Sequence, residues 1–308
     1  MDDHAMPTPL PAYLTELSPW RSIAALMLDW GLIAASFGCA VAFPSPLIYL
    51  AAAIVIARTQ LALAVLMHES AHRVLTRNAR VNDVIGQVFA AAPLMLSLYS
   101  YRRGHMQHHR APMASDDPVA VVFGIADYPV SRSELVWRLF KDVTAIGYFL
   151  SVWKILRASR SDGLSKPPPN RARTLFVIAS IVLTNAALIG ALTALGHPTL
   201  YVGLWLVPAL TLLQLFARVR AITEHAGYGP CEDQIQNART IVRPNLQTFF
   251  FGPHRIHFHI EHHCHVRVPF YRLAQVHALM RFDRMLPAQN LYDGYWPVLR
   301  EVSRAARD

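Results

Sequence analysis

PLIYLAAAIVIARTQLALAVLMHESAH occupies residues 46–72, and its reading decides the fold. From Pro46 to Met67 it is apolar, interrupted by Arg58 and Gln60. That is about the 20 residues a membrane-crossing helix needs. The run passes without a break into His68, Glu69, Ser70, Ala71 and His72, so one end of a span carries two histidines. Upstream, Ser22–Phe43 is a second apolar run, broken only by Asp29, with Pro44 and Pro46 marking the turn between them. Downstream, roughly Leu175–Leu195 and Leu200–Phe216 repeat the arrangement, turning at Gly196, His197 and Pro198. The pattern predicts an all-α integral membrane protein, with four transmembrane helices in two hairpins. Residues 84–99 are apolar but short, with Pro93 inside, and predict a buried or interfacial segment. A helix is expected near Ser133–Leu156, and KPPPN (166–170) reads as a stiff linker.

Composition agrees. The 308 residues are 53% hydrophobic and 16% charged, against about 25% charged for a soluble domain. The net charge of +9 is dispersed rather than gathered in one dense run, so nucleic acid is not the expected partner. Both hairpin turns lack Lys and Arg. The positive-inside rule therefore predicts both termini, and the polar regions carrying the histidines, on the cytoplasmic side of an inner or plasma membrane. Three cysteines without a CxxC argue against a disulfide scaffold, and the acidic start (MDDH) argues against a cleaved signal peptide. The chain is expected to be one domain, with its core at about residues 20–285.

Fifteen histidines are the outlying count, and nine fall in four clusters on that one side. HESAH offers His68 and His72 at i and i+4, one face of a helix. HMQHH offers His105, His108 and His109, and HIEHH offers His259, His262 and His263. In each HxxHH the i and i+3 rings are expected to share a face. The adjacent ring points about 100° away, so one motif can serve two neighbouring sites. His225, in TEHAG, adds another. HESAH also reads as HExxH, a membrane zinc protease signature with Glu69 as base. One tetrahedral zinc leaves most of the nine imidazoles unused. Two metals with four or five nitrogens each would use them all, and such sites suit several first-row metals, iron among them. Glu69, Glu224 and Glu261 each adjoin a clustered histidine and are expected to orient imidazole N–H groups. A metal transporter would need ligands within its spans rather than at their ends.

HxxxH, HxxHH and HxxHH, in this order about two transmembrane hairpins, resemble the membrane-bound fatty acid desaturase and hydroxylase superfamily. The resemblance implies a cytosolic histidine-rich helical cap over the spans and a non-haem di-iron centre. Its ligands would be His68, His72, His105, His108, His109, His225, His259, His262 and His263. It further implies O2 as co-substrate and desaturation of a fatty acyl or related lipid chain. A hydroxylase or ketolase of a lipid, carotenoid or small secondary metabolite would carry the same histidines. With no CxxC pair or HPGG motif in the chain, a separate ferredoxin, rubredoxin or cytochrome is the implied electron donor. The third box departs from the family pattern at Arg255, His257 and CHVRVP (264–269), which bears on substrate more than on chemistry.

Several residues remain. Asp29, an acid inside a span, is a functional candidate with Trp30 as its expected donor. Asp116 and Asp117 are expected to brace the histidines. Arg102, Arg103 and Arg110, with the basic residues of 154–173, are a candidate docking surface for an acidic donor. Trp137 and Trp153 read as interfacial anchors. His254, His257 and His265 are expected to make cap or headgroup contacts.

Overall fold

The computed structural model describes residues 10–161, 170–231 and 233–304. Among the described residues, four elements are long and apolar enough to cross a membrane: α1 (Pro19–Ala42), α2 (Pro46–Ala71), α8 (Arg171–Ala194) and a broken span over Tyr201–His225. Proline stands in the first turn of both α1 and α2, where its missing N–H costs no intrahelical bond. The Ser45 hydroxyl caps α2 by accepting from the Ile48 N–H. The predicted hairpins are both present. The spans pack unequally: the apolar window of α2 is 61% buried and that of α8 only 17%. So α2 is the central strut, and α8 leaves most of its apolar surface for lipid.

The short 84–99 segment is not a span by itself. It lies in a bent unit. Helix α3 (Ala79–Ile85) continues through a π-helical turn (Gly86–Ala91) and a 3-10 turn to Leu94. Met95 then takes a left-handed backbone conformation, and α4 (Leu98–Arg110) leaves at 96°. A bend inside an apolar environment exposes backbone groups that lipid cannot satisfy. Side chains from neighbouring helices satisfy them here. The Gln87 carboxamide accepts from Leu98 N–H and donates to Leu96 O, while Asn185 of α8 donates to Ala92 O and Trp205 to Pro93 O. Gly86 sits where a Cβ would overlap the Ser70 hydroxyl, so the bent unit closes directly on the end of α2. Asn82 finishes that joint by donating to Ser70 O and accepting from Leu75 N–H.

The second half of the first polar region holds α5 (Pro118–Phe123), α6 (Arg132–Val143) and α7 (Ile146–Ser161). The single helix expected near 133–156 is two helices, because Ala145 takes a positive φ between them. Most of the KPPPN linker lies outside the described residues; its Asn170 caps α8 by accepting from Arg173 N–H. The broken span comprises a π-helical stretch (Tyr201–Leu206), α9 (Val207–Leu210) and α10 (Leu212–His225). It runs on to His225 rather than stopping near Phe216. Beyond it lie β1 (Thr240–Ile241), α11 (Leu246–Phe251), α12 (His259–Cys264), α13 (Leu273–Phe282), β2 (Leu291–Tyr292) and α14 (Tyr295–Val302). Strands β1 and β2 pair in parallel, and Thr240 also bridges to Phe258, next to the last histidine motif. The result is an all-α membrane fold under a histidine-rich helical cap.

Candidate metal centre

The nine clustered histidines converge from α2, α4, α10 and α12 into two groups. His68, His72, His105, His109 and His262 form one, and His108, His225, His259 and His263 form the other. Within each group one ring nitrogen per residue lies within 4.8 Å of all the others. In the five-membered group, Nε2 of His105 is 2.8 Å from that of His72 and 3.0 Å from that of His109. Nε2 of His262 is 2.9 Å from His68 and 3.1 Å from His109. In the four-membered group, Nε2 of His259 is 2.8 Å from His225 and 3.1 Å from His263.

Each HxxHH motif does divide between two sites, but along a different seam from the one expected. His105 pairs with His109, and His259 with His263, while His108 and His262 cross to the other group. Helical geometry accounts for this. Residues i and i+4 differ by about 40° around the axis, closer than the 60° separating i and i+3.

The outer nitrogens fix the proton positions in the four-membered group. His225 Nδ1 is 2.8 Å from Asn237 O, a carbonyl that can only accept, so Nδ1 carries the proton. His108 Nδ1 donates to the Asp117 carboxylate at 2.9 Å. His263 Nδ1 donates to Gln234 Oε1 at 2.8 Å, and the Gln234 amide nitrogen bonds His109 O, which sets the orientation of that amide. In neutral imidazoles the inward Nε2 atoms of these three rings then bear lone pairs and no hydrogen. Three convergent lone pairs without a donor repel one another unless a cation sits among them. Burial, reinforced by neighbouring histidines, holds the pKa values of His259, His262 and His263 well below the usual range. Burial and the Arg102 charge push His72 down to about 3. Rings that stay neutral at physiological pH remain available as ligands. Buried all-imidazole sets of this kind can hold two first-row metal ions.

The carboxylates behave less uniformly than expected. Asp117 braces His108, also accepts from the Met113 and Val119 N–H groups, and caps α5. Burial works to raise its pKa, but the His108 and backbone hydrogen bonds prevail and lower it. Asp116 binds Gln107 instead. Glu69 Oε1 lies 3.3 Å from His68 Nδ1, and Glu224 Oε1 lies 3.4 Å from His259 Nδ1, both on the outer sides of those rings. Glu261 orients none of the nine. It accepts from Thr240 at 2.6 Å and pairs with His277 Nδ1 at 2.5 Å. The sequence reading missed Gln234, Asn237 and His277, none of which lies beside a clustered histidine in the chain.

Asp29 does not use Trp30, whose indole donates to Phe89 O. It is buried against His254 Nε2 at 2.7 Å and Arg58 Nη1 at 3.4 Å. His254 is thus a partner of a span rather than a headgroup contact, and His257 bonds Ile241 O. Arg102 is committed to Asp83, Ala71 O and Ser70 O and is not a free docking charge. Trp137 and Trp153 are exposed beside Lys141 and Arg157, as interfacial anchors would be.

The fatty acid desaturase family model matches residues 44–295. Dihydrorhizobitoxine desaturase of Bradyrhizobium elkanii is 27% identical over 286 residues, covering 88% of this chain and 78% of that protein.

Proposed function

The chain belongs to the fatty acid desaturase family, and from that premise we propose that it is an O2-dependent di-iron desaturase. The observation that carries this reading is the four-membered group, where three fixed tautomers aim lone pairs at one point beside a second all-imidazole group. Two irons, held by His68, His72, His105, His109 and His262 and by His108, His225, His259 and His263, would activate O2 for breaking unactivated C–H bonds. The overall change is R–CH2–CH2–R′ + O2 + 2 e⁻ + 2 H⁺ → R–CH=CH–R′ + 2 H2O. The electrons come from a separate ferredoxin, rubredoxin or cytochrome. The chain's own part is to hold the imidazoles neutral, fix their outer protons and bury them under the spans.

A zinc protease needs its glutamate on the metal side of the histidines. Glu69 instead accepts from Phe270 N–H at 2.8 Å and faces the outer nitrogen of His68. The saturated chain is a fatty acyl or related lipid in the family's usual sense. The named relative acts on dihydrorhizobitoxine, which favours a second reading, a small metabolite. Both termini and the histidine cap lie on the cytoplasmic face of an inner or plasma membrane, supported by hairpin turns without Lys or Arg.

Metal analysis and product analysis together test this. Two irons per chain are expected, and one zinc would overturn the reading. Mass spectrometry of a host expressing the chain should show a product lighter by two hydrogens, absent with His262→Ala. A product gaining one oxygen would make the enzyme a hydroxylase.

A further inference from the structure

Helix α10 carries two arginines, Arg218 and Arg220, and they are used differently. Arg218 is committed on every edge: Nε and Nη2 bind the Asp142 carboxylate and Nη1 binds Phe123 O. Arg138 likewise spends Nε, Nη1 and Nη2 on Glu134, Gly124 O and Asp127. These are structural ties. Arg220 makes one bond, Nε to Glu224 at 2.6 Å, and its two Nη nitrogens bond to no other described residue. Neither Nη is among the fully enclosed unpartnered atoms, and the side chain is 15% accessible. Arg220, five residues before the end of a membrane span, thus keeps four of its five N–H donors free on a side chain that is only partly enclosed.

Arg220 adjoins the histidines through its salt-bridge partner. Glu224, the one partner of Arg220, touches the outer side of His259. The ring of Tyr101 stacks on His105 with 5.3 Å between centroids. Arg220 and Glu224 therefore make one wall beside the centre polar. A long methylene chain laid along that wall would leave guanidinium donors desolvated and unpaired, which is costly. A carboxylate satisfies the free Nη pair and matches the planar fork.

We propose that Arg220 docks a substrate carboxylate, so that this chain acts on a short carboxylate-bearing carbon chain whose reacting carbons lie a few bonds from that group. The proposal rests on the desaturase reading for its chemistry but not for its binding step. Arg220 is then a substrate-binding residue, with Glu224 holding its Nε edge.

The test is binding to the full-length protein purified in detergent, followed by calorimetry and thermal melting, with sodium butyrate as probe and butyramide as its uncharged counterpart. Butyrate should bind and raise the melting temperature, and butyramide should not. R220Q should weaken butyrate binding at least tenfold, while R220K, which keeps the charge without the fork, should retain part of it. If R220Q fails to fold, R220K against wild type carries the comparison. Equal binding of butyramide, no butyrate binding by wild type, or butyrate binding unchanged in R220Q would each overturn the proposal. The last result would place the carboxylate elsewhere, on a bound metal for instance. A wrong desaturase reading would appear instead in the metal count and leave these affinities untouched.

Discussion

The two histidine groups lie side by side but are built by different means. The five-membered group is positioned by helix backbone. Its core is two i, i+4 pairs, His68 with His72 on α2 and His105 with His109 on α4, and the outer Nδ1 atoms of His68 and His109 are buried without a hydrogen bond. The four-membered group draws on α4, α10 and α12. There Asp117, Asn237 and Gln234 hold three of its rings from outside. Redundant ligands on rigid helices tolerate loose outer contacts. The four-membered group has no spare ligand, and three of its four rings are oriented from outside, His259 Nδ1 alone lacking a hydrogen bond among the described residues.

Removing a ligand should break that comparison most visibly. His259→Ala leaves three imidazoles and should empty its group, bringing metal content to about one per chain and activity down by roughly 10³. His109→Ala leaves four in the other group and should keep metal content near two. Equal metal loss in both variants would show that the extra imidazole gives no redundancy. Next in size is Asp117→Ala, which frees His108 and should weaken metal retention or activity by about 10–100-fold, measured by competition with a chelator.

A third prediction concerns pH. His72, at about 3, and His259, His262 and His263, all lowered, stay neutral in the folded protein but protonate near 6.5 when unfolded. Below the unfolded value the unfolded chain binds more protons, so this contribution to stability is complete above about pH 6.5 and declines as pH falls below it. Melting of the metal-stripped protein from pH 8 to 4 should show the decline, and flat melting would contradict it. The smallest effect is expected from Glu69→Gln. The amide can still accept from Phe270 N–H, and His68 Nδ1 makes no hydrogen bond to lose, so activity should fall by no more than about tenfold, the low end for an outer partner. Abolished activity would restore Glu69 as a catalytic base.

The spans and the nine histidines were legible because both are written locally, one as apolar length and the other as residue type at helical spacing. The outer partners were not. Asp117 reaches His108 across nine residues, Asn237 reaches His225 across twelve, and Gln234 reaches His263 across twenty-nine, all through loops. Adjacency in sequence misled at Glu261, because neighbours on a helix point about 100° apart and its carboxylate faces Thr240 and His277. The left-handed turn at Met95, which makes the bent unit, has no glycine to announce it.

The short pairing of β1 with β2 sets an order for biosynthesis. Thr240 sits against Leu291 on one side and Phe258 on the other, and Val130 N–H bonds Val302 O. The segment that carries the last histidine motif is therefore buttressed by residues made some thirty positions later. A nascent chain stalled before Leu291 would already have inserted its four spans, yet its metal cradle would lack a wall. The support of the last histidine motif is thus completed by residues synthesised after all four apolar helices.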